Sequence, residues 1–238
     1  MTAVSLSDIQ STAARLGLVT RGGFPIAPED GVPGYGEDEL SGTLLLFGNA
    51  GSSIWSEFSR SPEYADGSPD PLNRWSQRVG INMAEAFGGQ ALFPFGGPPY
   101  QPFLGWAKKA ESLRNSRLGM LIHPQYGLWH AYRFAIAFPG EIKGLPSPPD
   151  ATDVCARCAE QPCLSACPVS AFDGDNYDVE RCYGYLANHP DSKCLTHTCE
   201  ARFACPEGGA FNYEQDHARF HMSAFYRSIH ARFSENLD

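Results

Sequence analysis

Apolar positions along the chain follow two periods, one helical and one of two residues, and the segments they mark predict a mixed sheet-and-helix protein. Ile9, Ala13 and Leu16 share one face of residues 5–17, with Ser5 or Ser7 as cap and Gly17 as stop, so a short helix is expected there. A short strand follows at 18–20, and the Gly-, Pro- and acid-rich stretch 22–39 reads as loop. Residues 43–47 are a continuously apolar run ending at Gly48, the pattern of a central strand covered on both faces. Residues 51–60 read as helical. The clearest helix begins at Asp70, a candidate cap, with Pro71 in the first helical position. Leu72, Trp75, Val79, Met83 and Phe87 recur every three or four residues, and Gly88-Gly89 ends it. A strand is expected at 91–95, a helix at 103–113 and a second long strand at 129–138. Strict alternation in that strand would put His130, Tyr132, Phe134, Ile136 and Phe138 on one face and Trp129, Ala131, Arg133 and Ala135 on the other.

Residues 139–154, with prolines at 139, 146, 148 and 149, have the composition of an extended linker, and the chain divides into a first domain at 1–145 and a second at 146–238. Its 238 residues suffice for one sizeable domain and a smaller one, and 42% hydrophobic with 19% charged residues is ordinary for a globular chain. A net charge of -9 argues against a charge-driven grip on nucleic acid or an anionic membrane, so neither is expected as a partner. The first residues lack a basic start followed by an apolar run, and no segment approaches the roughly 20 apolar residues of a membrane span. A cytoplasmic location is the expectation.

Candidate chemistry is concentrated in the cysteines. All eight lie between Cys155 and Cys205, in two groups: Cys155-x2-Cys158-x4-Cys163-x3-Cys167-Pro168 and Cys182-x11-Cys194-x4-Cys199-x5-Cys205-Pro206. Disulfides would be spread through the fold, and zinc ribbons favour two C-x2-C pairs per metal where this chain has one, so clustered iron is the better reading than either. Three cysteines followed by Cys-Pro, twice over, resembles the two-cluster ferredoxins, in which the fourth cysteine of each run ligates the other cluster. That resemblance implies Cys155, Cys158, Cys163 and Cys205 on one 4Fe-4S cluster, and Cys182, Cys194, Cys199 and Cys167 on the other. The x4 gap holding Gln161-Pro162 is also similar to iron-sulfur subunits of molybdopterin oxidoreductases.

Tyr177-Asp178-Val179-Glu180-Arg181-Cys182-Tyr183-Gly184-Tyr185-Leu186 resembles the Leu-Asp-x-x-Arg-Cys-x-x-Tyr-Leu segment of epoxyqueuosine reductases, which are corrinoid-dependent and carry two such clusters. Upstream, His123-Pro124-Gln125-Tyr126-Gly127-Leu128-Trp129-His130-Ala131-Tyr132-Arg133 is similar to the His-Pro-x-aromatic-Gly-x-Trp-x-Ala-x-Arg stretch of cobalamin-trafficking proteins of CblC type. Residues 43–47 with Trp55 and Asp70-Pro71, and Pro102-Phe103-Leu104-Gly105-Trp106, look like segments of that family in the same order, covering roughly residues 40–140. The combined resemblance implies an α+β chain: a nitroreductase-like (flavin-reductase-like) sheet-and-helix domain that holds cobalamin, then a ferredoxin-like two-cluster module, a fusion also found in reductive dehalogenases.

On that resemblance, His123, Gly127, Trp129, Arg133, Gly105 and Trp106 become candidate corrinoid contacts. Read from the residues alone, core is the default for Trp106 and Trp129, and a lone His before Pro, as at His123, is more often a structural residue. Arg133, if turned inward, needs an anionic partner. His217 and His221, four apart on an expected C-terminal helix, suit packing better than a metal. No catalytic residue is assigned, because the redox chemistry belongs to the cofactors. The leading reading is a cobalamin reductase or trafficking chaperone whose clusters deliver single electrons to cobalt. An electron-donating flavoprotein or ferredoxin, and a cobalamin-dependent enzyme, would be its partners. The alternatives are a corrinoid-dependent substrate reductase of the epoxyqueuosine reductase or dehalogenase type, and a ferredoxin-type carrier whose first domain binds FMN or docks a partner. The acidic balance and the mere 33 residues after Cys205 weigh against action on tRNA. No Gly-x-Gly-x-x-Gly marks a dinucleotide site.

Overall fold

The structure, a computed structural model, describes residues 4–35 and 41–234. In chain order its elements are α1 (Leu6–Ala14), β1 (Val19–Pro25), β2 (Gly42–Ala50), α2 (Trp55–Phe58), α3 (Pro62–Ala65), α4 (Pro71–Phe87), β3 (Gln90–Leu92), α5 (Phe103–Glu111), β4 (Arg114–Asn115), β5 (Leu121–Ile122), β6 (His130–Pro139), α6 (Pro162–Ser165), α7 (Val179–Asn188), α8 (Lys193–Thr196), α9 (Glu200–Phe203) and α10 (Gln215–Ser234). The chain is therefore α+β. The loop expected at 22–39 yields to β1 as far as Pro25, and its residues 36–39 lie outside the described ones. No helix among the described residues is long and apolar enough to cross a membrane.

Two compact units result. The first holds the described residues up to Leu113 together with His130–Ala151, and the second holds Arg114–Trp129 together with the chain from Thr152 onward. Sequence composition suggested one cut at 145/146; the contacts instead assign 114–129 to the cysteine-bearing unit.

The first unit is built on an antiparallel sheet of order β1-β2-β6-β3. Eight of the nine residues of β2 are buried, which is why its sequence reads as an unbroken apolar run. On one side Leu44, Leu46, Ala135 and Ala137 pack with Phe24, Phe103 and Trp106. Elsewhere in the sheet Phe47 and Phe134 stack at 5.0 Å, and Gly80 of α4 leaves room for the rings of Phe93 and Phe134. The helix α4 starts at Pro71 and ends at Gly88 in the left-handed region, as its sequence implies. Asp70, however, adopts φ 51° and makes no side-chain cap bond, because an N-cap residue reaches the following amides from extended backbone.

Alternation along β6 is broken. Phe134 pairs with Phe47 but Tyr132 pairs with Gly48, so Arg133 is the extra residue of a β-bulge. Arg133 and Phe134 consequently both face α4: Arg133 donates to Ser76 Oγ (3.0 Å), Asn73 Oδ1 (2.9 Å) and Leu72 O (3.3 Å). Tyr132 instead joins the side of Ala135 and Ala137. The expected face shared by Tyr132 and Phe134 is thus corrected. Trp129 precedes the strand and belongs to the second unit.

A second irregularity, between Thr20 and Gly23 of β1, accompanies a charge inside the first unit. Arg21, 0% exposed, donates to Glu111 Oε1 (3.0 Å) and Oε2 (2.8 Å), to Asn49 O (3.3 Å) and to His130 Nδ1 (3.1 Å). The Tyr132 hydroxyl also donates to Glu111. Burial, reinforced by the Glu111 carboxylate, pushes the Tyr132 phenol well above its ordinary range, while the Arg21 charge pulls the other way. Every polar end of this network faces another, the condition under which a buried charge is tolerated.

The second unit has little regular structure beyond α7 and α10. A buried cluster joins Leu118, Ile122, Leu128 and Val154 to Cys163 and Cys167, so these cysteines are part of its core.

Candidate functional site

Short elements position the thiols. Cys163 lies in α6, Cys182 in α7 and Cys194 in α8, while Cys199 immediately precedes α9. Asp178 accepts from the Arg181 amide at 2.8 Å and caps α7, which fixes the first turn that carries Cys182. All eight cysteines are free of disulfides.

The thiols sort into two fours by mutual influence. Burial pushes the Cys163 thiol up, and the charges of Cys155 and Cys158 add to it; Cys205 is raised by burial, then by Cys163 and Cys155. Cys182 is raised by burial and further by Cys167 and Cys194. Cys194 is pushed up to about 11 by burial, with Cys199, Glu200 and Cys167 contributing, and Cys199 is raised by burial, then by Cys182 and Cys167. The fourth cysteine of each sequence run thus stands with the other group. Among the described residues no three or more His, Cys, Asp or Glu side chains are placed to hold a single metal ion.

Donors surround these sulfurs. The Ala171 amide donates to Cys167 Sγ at 3.3 Å, the amides of Ala201 and Arg202 to Cys199, that of Glu207 to Cys205, and that of Leu164 to Cys163. The Tyr177 hydroxyl bonds to Cys182 and is held above its usual range by burial first and that bond second. Its ring stacks on Phe172 at 4.4 Å. Amide and hydroxyl donors aimed at thiolate sulfur are what an anionic iron-sulfur cluster requires, and they suit it better than an apolar core of neutral thiols.

Arg202 supplies an independent sign that an anion belongs here. Its guanidinium lies 4.3 Å from the Trp129 ring centroid and 4.6 Å from that of Tyr213, and it donates to Leu128 O at 2.6 Å. Its Nε is buried without a hydrogen bond, and Arg202 forms no ion pair among the described residues. A partly buried cation lacking an anion is costly, and the cysteines on either side of it in sequence, Cys199 and Cys205, offer one once ligated. Sequence reading gave no role to Arg202, which lies between Cys199 and Cys205, or to Tyr177, which opens the segment leading into Cys182.

The six residues singled out by the cobalamin-trafficking resemblance fall three to a unit. In the first, Trp106 is 2% exposed and donates from Nε1 to Asp30 O at 2.8 Å, Arg133 is bound to α4 as described, and a side chain at Gly105 would meet only open space. In the second, His123 Nδ1 accepts from the amides of Gln125 (3.0 Å) and Tyr126 (3.2 Å), and its ring stacks on Tyr126. Gly127, at φ 56°, packs where a Cβ would collide with the Glu207 carbonyl, which ties the 123–127 turn to the segment following Cys205-Pro206. Trp129 is 1% exposed, edge-on to Tyr213. Each of these contacts lies within a single unit. His217 is fully buried, stacked on Tyr213 at 4.1 Å with its Nε2 3.1 Å from that of His221, so the pair packs α10 as expected.

No protein-family model matches the chain, and no curated protein matches it. Solved structures of epoxyqueuosine reductases do. The Bacillus subtilis enzyme is 15% identical with a TM-score of 0.45, covering 75% of this chain and 51% of its own. The Streptococcus thermophilus enzyme is 15% identical with a TM-score of 0.45, covering 89% and 69%. A third, bound to an epoxyqueuosine-modified tRNA stem loop, is 14% identical with a TM-score of 0.46, covering 88% and 66%. The chain therefore spans only part of the proteins it matches, about half in the first case. The third structure also corrects the exclusion of nucleic acid drawn from net charge: a protein matched by this fold holds RNA, and binding RNA requires a local basic patch, which the charge of -9 over the whole chain does not address.

Proposed function

We propose that the chain is a two-cluster iron-sulfur reductase, with Cys155, Cys158, Cys163 and Cys205 holding one 4Fe-4S cluster and Cys167, Cys182, Cys194 and Cys199 the other. The observation that carries this reading is the sorting of the eight thiols into those two fours, crossed between the sequence runs. When bound, such clusters supply single-electron transfer. The chain's own residues hold the iron through sulfur, exclude water by burial, and place amides and the Tyr177 hydroxyl on the thiolates. Arg202 compensates negative charge from the side of Trp129.

The acceptor in this reading is a corrinoid, with the first unit as a nitroreductase-like domain. A reductase acting on a further substrate is preferred to a trafficking chaperone, because the segment that forms and caps α7 around Cys182 is the one that resembles epoxyqueuosine reductases. Anaerobic titration of the cluster-loaded protein with cobalamin and, separately, with FMN tests this. Saturable spectral change with cobalamin is expected. Binding of FMN alone would overturn the corrinoid assignment and leave the cluster assignment standing.

Arg202→Met is expected to lower a cluster potential without lowering iron content, since loss of the cation disfavours the added electron. The shift should be on the order of 60 mV, equivalent to about 1.4 kcal/mol for one electron. Redox titration followed by paramagnetic resonance measures it, and an unchanged potential would remove Arg202 from this role.

A further inference from the structure

Beside α8 and α10 the second unit carries an open groove of about 330 Å³ that the cluster chemistry does not use. Its walls combine Pro190, Leu195 and Tyr226 with Arg219, Ser223 and Arg227 of α10. Arg219, Ser223 and Arg227 are four residues apart and share one helix face, so the two arginines are anchored about 12 Å apart along the axis. Both are exposed, neither forms an ion pair among the described residues, and no carboxylate lines the groove. On a chain of net charge -9 this is a local reversal of sign. A groove that sets Pro190, Leu195 and Tyr226 beside unpaired cations, with Thr196 and Ser223 as its neutral polar groups, has the mixed lining of a protein interface.

The groove also lies against the cluster module. Leu195 lines it, and the preceding residue in α8 is Cys194, buried at 7% exposure.

We infer that this groove is where an acidic one-electron carrier protein docks to reduce the chain, an inference that rests on the two-cluster reading. Arg219 and Arg227 meet carboxylates of the carrier, while Leu195, Pro190 and Tyr226 take its apolar centre. One electron leaves the reduced carrier and enters the cluster held in part by Cys194; no bond forms or breaks. The spread of the two cations suits several carboxylates on a protein surface better than a single phosphate. Attraction between exposed charges is screened by salt, so docking should weaken as ionic strength rises.

The test uses the cluster-loaded full chain and a strongly acidic, reduced 2Fe-2S ferredoxin as probe. Affinity and second-order reduction rate are measured at about 20 mM and about 300 mM salt. The Arg219→Glu/Arg227→Glu double variant is expected to lose about 10-fold or more in both at low salt, with little difference left at high salt. Ser223→Asp, which places a carboxylate between the arginines, should act in the same direction. Iron content and reduction by dithionite should be unchanged in each variant. Equal affinity and rate in wild type and variants overturns the docking site. So does binding of FMN or inorganic phosphate that the variants abolish while carrier reduction persists, which would assign the groove to a small anion. A wild-type chain that retains no iron and sulfide overturns the two-cluster reading itself.

Discussion

Replacing Cys182 by alanine is expected to halve the iron and sulfide of the anaerobically reconstituted protein, from about eight of each to about four. Cys182 stands with Cys167 and Cys194 and receives the Tyr177 hydroxyl, so its loss leaves one four with three thiols and an unpaired donor. The other four, Cys155, Cys158, Cys163 and Cys205, keeps all its ligands. Replacing Cys167 should act on the same cluster as Cys182 although it lies in the other sequence run, and Cys205 on the opposite one. Metal and sulfide analysis of the three variants, with paramagnetic resonance to identify the surviving signal, separates crossed from uncrossed ligation. If Cys182→Ala and Cys205→Ala removed the same cluster, the crossed assignment would fail.

Glu111→Ala is expected to destabilise the first unit by about 3–5 kcal/mol, the cost of breaking a buried pair by removing one partner. Arg21 is 0% exposed and Glu111 12%, so water cannot readily replace the carboxylate. Arg21 also donates to Asn49 O, His130 Nδ1 and the Tyr132 hydroxyl and lies over the Tyr132 ring, but none of these groups is a carboxylate. An Arg21→Met/Glu111→Leu double variant should recover much of the loss, because both polar ends are then gone together. Denaturant unfolding measures both. Equal stability of Glu111→Ala and wild type would mean that the network contributes little.

Much of the first unit was legible because its signals are local. The apolar run at 43–47 became the buried β2, and the spacing of Leu72, Trp75, Val79 and Met83 became the buried face of α4 between Pro71 and Gly88. What escaped depends on contacts remote in sequence. The bulge that takes Arg133 out of alternation arises opposite Gly48, and nothing in 129–138 alone marks it. Arg21 falls between the strand expected at 18–20 and the loop expected at 22–39, and the carboxylate that allows its burial is 90 residues away. Residues 114–129 look like part of the first domain by position, yet their partners include Cys163 and Cys167 and, beyond the cysteines, Glu207, Phe211 and Tyr213. The two cysteine runs stand out in the sequence for a different reason: the cluster ligation proposed for them would impose spacing on the sequence itself. Arg202 does not, since a charge among cysteines has no meaning until its missing partner is seen.

Quantitative iron, acid-labile sulfide and zinc analysis of the full chain, isolated without oxygen from iron-replete cells, tests the central claim most directly. The two-cluster reading predicts about eight iron and about eight sulfide per chain, with resonance signals of reduced 4Fe-4S clusters. Stoichiometric zinc with no sulfide would contradict it.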